Sequence, residues 1–172
     1  MKHGYALVVL ALAVMAGATP ATADTTTLAK AQSWEAFGGT TSTGRGLCGI
    51  SADPGGHYFG VKLFAGNDRF TLQMGTPEWK QLPMDQKVPV TMRFDANPEW
   101  NANGVGFRFD DGDMGLQITV NRSEIDAFIT QFRSSSKLAL RFDDPRLAPW
   151  ILGLEGTADV NGAFQKCVRA LK

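Results

Sequence analysis

The residues of this 172-residue chain with the most obvious chemistry are a histidine, an acidic turn and two tryptophans that each follow a Pro-Glu step. His57 would serve as the base of a serine or cysteine hydrolase only with an activated nucleophile beside it. No G-x-S-x-G elbow is present, and the nearest hydroxyls, Ser51 and Tyr58, belong to no motif. His57 therefore reads as a strand-start residue at a sheet rim. Zinc needs three or four ligands, mostly His and Cys. Beyond His3, in the N-terminal segment, the chain offers one histidine and two cysteines, so no metal site is expected.

Asp110-Asp111-Gly112-Asp113 is the densest carboxylate group. A D-x-D step around a glycine is how calcium loops begin, but the later oxygen ligands and the closing bidentate glutamate are missing. An acidic hairpin turn is the expectation; weak calcium binding by Asp110, Asp111 and Asp113 is the alternative. Asp143-Asp144-Pro145 reads likewise as turn initiation. A glycosidase needs two carboxyl groups flanking a cleft, for which Glu78, Glu99, Asp110 and Asp113 are the candidates, with Trp79 and Trp100 to stack on sugars. The simpler account of Pro77-Glu78-Trp79 and Pro98-Glu99-Trp100 is a pair of loops pinned by indoles buried against the sheet edge. If both indoles share a rim, Trp79 and Trp100 are the expected interaction surface.

The compartment is written at the N-terminus. Lys2, the apolar run Ala6–Ala18, Pro20 and Ala21-Thr22-Ala23 form the pattern of an export signal covering Met1–Ala23. A periplasmic or secreted protein is expected, and its cysteines then meet an oxidising solvent. Cys48 and Cys167 are too far apart for a CxxC redox pair or a metal knuckle, so a single disulfide is expected. Closing so long a loop stabilises by about 4–5 kcal/mol on the chain-entropy argument. The 17 Lys and Arg balance 17 Asp and Glu, which argues against nucleic acid as a partner. After Asp24 no apolar run is long enough for a membrane span, and no cofactor motif is present.

These residues must be positioned by strands. Asp24–Gln32 is polar and threonine-rich and reads as a flexible leader, followed by a single β-rich domain over residues 33–172. Ser33–Phe37, Leu47–Ser51, His57–Phe64, Arg69–Met74, Val88–Phe94, Val105–Phe109, Leu116–Val120, Lys137–Phe142 and Trp150–Glu155 alternate or run apolar, with turn residues between most of them. About nine strands so spaced predict a mainly β protein, an antiparallel sandwich or barrel-like sheet. Two segments change period. Ile125, Phe128, Ile129 and Phe132 predict a helix near 123–134, opened by Ser123 and Asp126. Val160, Phe164, Cys167, Val168 and Leu171 predict another near 157–171 with Thr157 as its cap.

From Val88 to Leu171 the pattern I-D-A-F-I-T-Q-F, K-L-A-L-R-F, W-I-L-G-L-E-G-T-A and A-F-x-x-C-V is similar to small β-sandwich proteins of alphaproteobacterial periplasms. It distantly resembles the invasion-associated locus B family. The resemblance implies fold and compartment and supplies no functional residue; the extra mid-chain cysteines usual in that group are missing here. The expected function is that of a non-catalytic binding or accessory protein of the cell envelope, with a protein or glycan partner and contact with a host or another bacterium among its uses. One alternative is an inhibitor of an envelope-attacking enzyme, presenting a loop within Gly38–Gly46 or Asp95–Gly104. A small glycan-active hydrolase is the other.

Overall fold

The computed structural model describes residues 24–171 other than Gln81, Pro83, Asp85 and Asp110; the expected export signal, Met1–Ala23, lies outside the described residues. The strands are β1 (Asp24–Ala31), β2 (Trp34–Thr40), β3 (Gly46–Ala52), β4 (Tyr58–Phe64), β5 (Arg69–Gly75), β6 (Lys87–Phe94), β7 (Trp100–Arg108), β8 (Met114–Asn121), β9 (Lys137–Phe142) and β10 (Trp150–Gly153). Helix α1 (Ile125–Ser134) joins β8 to β9, and α2 (Thr157–Ala170) follows β10. All ten strands form one antiparallel sheet in the order β1-β2-β3-β4-β5-β8-β7-β6-β9-β10. The first five make a meander. The β6–β7–β8 meander lays β8 against β5, and α1 carries the chain across to β9 at the far side of β6.

Period-2 alternation dictates which face is buried. Val88, Val90, Met92 and Phe94 of β6 are buried, whereas Lys87, Pro89 and Arg93 are exposed. The sheet curls around its apolar face into a barrel-like shape. Its ends approach where the Trp34 indole N–H donates to the Gly153 carbonyl at 3.0 Å, and His57 meets the Trp150 ring edge-on at 4.8 Å. Helix α1 supplies Phe128, Ile129 and Phe132 to the enclosed core. Phe132 lies 4.9 Å from Trp34 and 6.3 Å from both Phe59 and Phe94, all fully buried. Among the described residues no helix is long and apolar enough to cross a membrane.

Helix α2 packs across β1, β2 and β3, and the Cys48–Cys167 disulfide fastens it there. Gly38 faces Cys48 across the β2–β3 ladder; a Cβ at Gly38 would sit 2.8 Å from Cys167 Sγ, so the bare backbone makes room for the bridge. At the start of α2, Gly156 adopts φ 95°. A side chain there would also collide with the Ala31 carbonyl.

Three local expectations are corrected. The segment expected as a flexible leader is largely strand β1, paired with β2 on both sides of a register shift between Thr27 and Ala29. Glu35 of β2 holds it, accepting from Thr27 Oγ1 at 2.8 Å and pairing with Lys30 at 2.8 Å. Those hydrogen bonds keep the Glu35 carboxyl below its usual range. An edge strand with little buried surface has no apolar alternation, so periodicity could not reveal it. Ser123 does not cap α1, which starts through a 3-10 turn over Arg122–Glu124 with no side-chain cap. Thr157 is the first helical residue rather than the cap, and its hydroxyl donates to the Leu154 carbonyl at 2.8 Å.

Candidate functional site

One concavity lies on the outer face of the sheet, and cross-strand register builds it. Tyr58 faces Gly75 on β5, Gly75 faces Gly115 on β8, and Gly115 faces Phe107 on β7. Two bare positions side by side leave a trough in the pleated surface. Phe109, just past β7, folds back into it. A Cβ at Gly75 would come within 2.6 Å of its ring and one at Gly115 within 2.5 Å. Tyr58 leans along its own strand over Gly60, where a Cβ would meet the phenol oxygen at 2.5 Å. Tyr58 and Phe109 then meet edge-to-face at 5.3 Å, and Phe107 packs on Phe109 at 4.4 Å. Close backbone approach is the usual reason for glycine inside a strand.

Tyr58 and Phe109 border a groove of about 430 Å³ whose polar lining includes Asp53, Lys62, Thr76, Asp111 and Asp113. Burial pushes the Tyr58 phenol up to about 12, with Ser51 pulling it down by hydrogen bonding and the Asp53 charge raising it further. At neutral pH the phenol is a protonated hydrogen-bonding group and not a base. Lys62 Nζ lies 5.7 Å from the centre of the Tyr58 ring and donates to Gln73 Oε1 at 2.6 Å. Gln73 Nε2 in turn donates to Gln117 Oε1 at 3.0 Å. A polar ladder thus runs from the groove across β4, β5 and β8. At the acidic turn, the Asp113 amide donates to Asp111 Oδ1 at 3.0 Å, and Arg108 Nη1 donates to the Gly112 carbonyl at 2.6 Å.

The residues singled out from sequence are dispersed. Trp79 is only 5% exposed and packs on Trp150 at 4.9 Å and Phe142 at 5.3 Å. Trp100 is half-buried on Phe128 of α1 at 5.5 Å and donates to Gln131 Oε1 at 2.9 Å. Each indole turns inward to different neighbours, so Trp79 and Trp100 do not form a shared exposed platform; aromatic area gains more from burial than from solvent. Glu99 is paired with Arg141 at 2.6 Å. The nine residues of β7 separate Glu99 from Asp113, roughly 30 Å at strand rise, so those two cannot flank one bond. Glu78 is exposed beside the groove without lining it. Of the calcium candidates, Asp111 and Asp113 line the groove, and Asp110 lies outside the described residues. Among the described residues no group of three or more His, Cys, Asp or Glu is arranged to hold a metal ion.

Of the two loops expected to present an inhibitory surface, Gly38–Thr40, Gly46 and Trp100–Gly104 are strand, and a short turn remains in each. Between β2 and β3 only Thr41–Arg45 remain, closed by Thr41 N–H to the Arg45 carbonyl at 2.9 Å. Between β6 and β7 the turn begins at Asp95, whose carboxylate accepts from the Ser136 and Lys137 amides at 2.8 and 3.1 Å. Sequence reading passed over Phe109 and Lys62. The detectable signal was glycine at Gly60, Gly75 and Gly115 within apolar strands; their alignment depends on pairing between distant segments. No family model, curated protein or solved structure matches the chain.

Proposed function

We propose that this is a non-catalytic, exported binding protein of the bacterial cell envelope, whose outer-face groove takes a neutral, polyhydroxylated ligand such as an envelope glycan. The observation that carries this reading is the groove itself: aromatic rings laid on bare backbone beside a mixed set of polar groups. Asp53, Asp111 and Asp113 accept hydrogen bonds, while Lys62, Thr76 and the protonated Tyr58 donate. Rings that stack, with acceptors and donors around them, suit sugar hydroxyls better than a single strong charge of either sign. The disulfide fits an oxidising compartment, and periplasmic or secreted location is part of the same proposal. The resemblance over Val88–Leu171 supports the compartment and adds no residue to the site.

The test is an array of neutral and charged bacterial envelope oligosaccharides probed with the purified chain from Asp24 onward, followed by calorimetry on the strongest hit. Phe109→Ala and Asp111→Asn are each expected to weaken neutral-glycan binding by about tenfold or more, a loss of roughly 1.4 kcal/mol. Trp100→Ala is expected to leave it unchanged. Equal binding by wild type and Phe109→Ala would remove the groove from the function.

A further inference from the structure

Strands β7 and β8 pair only over Val105–Arg108 and Met114–Gln117. Beyond Val105, β7 stays with β6 through Trp100, and beyond Gln117, β8 stays with β5 through Asn121. The sheet therefore forks, and the fork encloses a cleft of about 620 Å³. Asn101–Asn103 form one wall and Thr119–Asn121 the other, each stretch having a strand partner on one side only. In an antiparallel strand alternate residues aim their N–H and C=O to opposite sides. Both walls thus turn main-chain donors and acceptors toward the cleft. Its floor is apolar, made by Met92, Trp100, Ala102 and Val120 from the inward faces.

The other edges of the sheet are guarded. β1 carries a register shift at Thr27/Ala29 and the Lys30 charge, and β10 is only four residues long. Bulges, charges and short length are how proteins prevent edge pairing. Asn101-Ala102-Asn103 and Thr119-Val120-Asn121 contain no charge and no proline. Val105, at the apex of the fork, is 42% exposed. The charged groups lining the cleft are Arg69, Lys87 and Glu124, and Arg69 Nε also lies 3.9 Å from Asp68 Oδ1.

We propose that this fork is a strand-acceptor site, in which an extended segment of a partner protein inserts between β7 and β8. Main-chain hydrogen bonds to both walls hold it, as in strand addition to an exposed edge. Its inward side chains are apolar, to sit on the Ala102–Val120 floor, and its outward ones are hydroxyl or acidic, to suit the Arg69 and Lys87 rim. The site is separate from the Tyr58–Phe109 groove, so glycan binding there and peptide binding here can fail independently.

The experiment is residue-resolved amide hydrogen exchange with the probe acetyl-Thr-Val-Asp-Val-Thr-amide, and with the same peptide N-methylated at both valines. In the free protein, those amides within Asn101–Asn103 and Thr119–Asn121 that point into the cleft should exchange much faster than paired amides of β5. Saturating peptide should slow them by about tenfold or more, and the N-methylated peptide should not. Ala102→Leu, which fills the floor, should abolish the effect while its denaturation midpoint confirms that it folds. Slow exchange at the fork in the free protein, no slowing at millimolar peptide, or equal protection by the N-methylated peptide would each overturn the proposal.

Discussion

Phe132 and Phe109 are both phenylalanines packed against other rings, yet the sheet separates them and the chain holds them in different ways. Phe132, on α1, is fully enclosed by Trp34, Phe59, Phe94 and Phe128. Its neighbours are large side chains that interdigitate, and its environment is what any apolar helical stripe seeks. Phe109 lies on the outside, half-buried, resting on backbone that Gly75 and Gly115 leave bare. Inside, space is filled by volume; outside, a place is kept by the absence of side chains. The first arrangement contributes stability, and the second keeps an aromatic surface in contact with solvent.

Breaking the inner arrangement should give the largest effect. Phe132→Ala removes a buried ring from a packed core and is expected to cost about 3–5 kcal/mol in urea denaturation. Where the variant remains folded, groove binding should persist, because none of the rings packed on Phe132 lines the groove. Loss of glycan affinity in proportion to lost stability would mean that the two regions are not separate.

Gly115→Ala attacks the outer arrangement from below. The added methyl meets Phe109 at 2.5 Å, Phe107 at 2.7 Å and the Met74 carbonyl at 2.9 Å. Backbone cannot yield as a side-chain tip can, so overpacking of about 1–3 kcal/mol is expected. Phe109 should also be displaced and Tyr58 uncovered. The phenol would then titrate nearer to 10, which ultraviolet phenolate absorbance measures directly. An unchanged Tyr58 titration would show that Phe109 does not bury it.

The inner arrangement was legible in the sequence and the outer one was not. Ile125, Phe128, Ile129 and Phe132 announce a stripe within one short segment, and Val88 to Phe94 announces a buried strand face, because those signals are local. The disulfide was also legible, since two cysteines allow one intramolecular pairing. Gly75 and Gly115 sit forty residues apart, and nothing in either neighbourhood says that β8 pairs with β5. The fork is hidden for the same reason: Trp100–Gly104 reads as part of a loop, and only its pairing with β6 makes it the first half of β7. Strand β1 escaped because its stability comes from Glu35 and from α2 rather than from an apolar face of its own.

Alkaline pH separates the two arrangements without mutating the core. Burial pushes the folded Tyr58 phenol up to about 12 from its ordinary 10.0, so the folded state keeps its proton where the unfolded chain has lost it. Unfolding is then favoured as pH rises above about 10, and the stability deficit grows until the folded phenol itself ionises near 12. At about pH 11 the loss should be roughly 1–2 kcal/mol, read as the difference in denaturation between wild type and Tyr58→Phe, which lacks the titrating group. Parallel stability profiles for the two proteins would place Tyr58 in water.

The smallest stability effect should accompany the largest functional one. Phe109→Ala leaves the enclosed core intact and removes one edge-to-face partner of Tyr58 and one of Phe107. Such pairs contribute about 0.5–1.5 kcal/mol each beyond burial, and a half-exposed ring has less burial to lose than Phe132. A net cost of about 1 kcal/mol is therefore expected at neutral pH, together with loss of the groove's aromatic wall. Stability and binding would be uncoupled, as expected of a ring kept at the surface for contact rather than for packing. A cost approaching that of Phe132→Ala would instead make Phe109 a second core, and the groove beside it a by-product of packing.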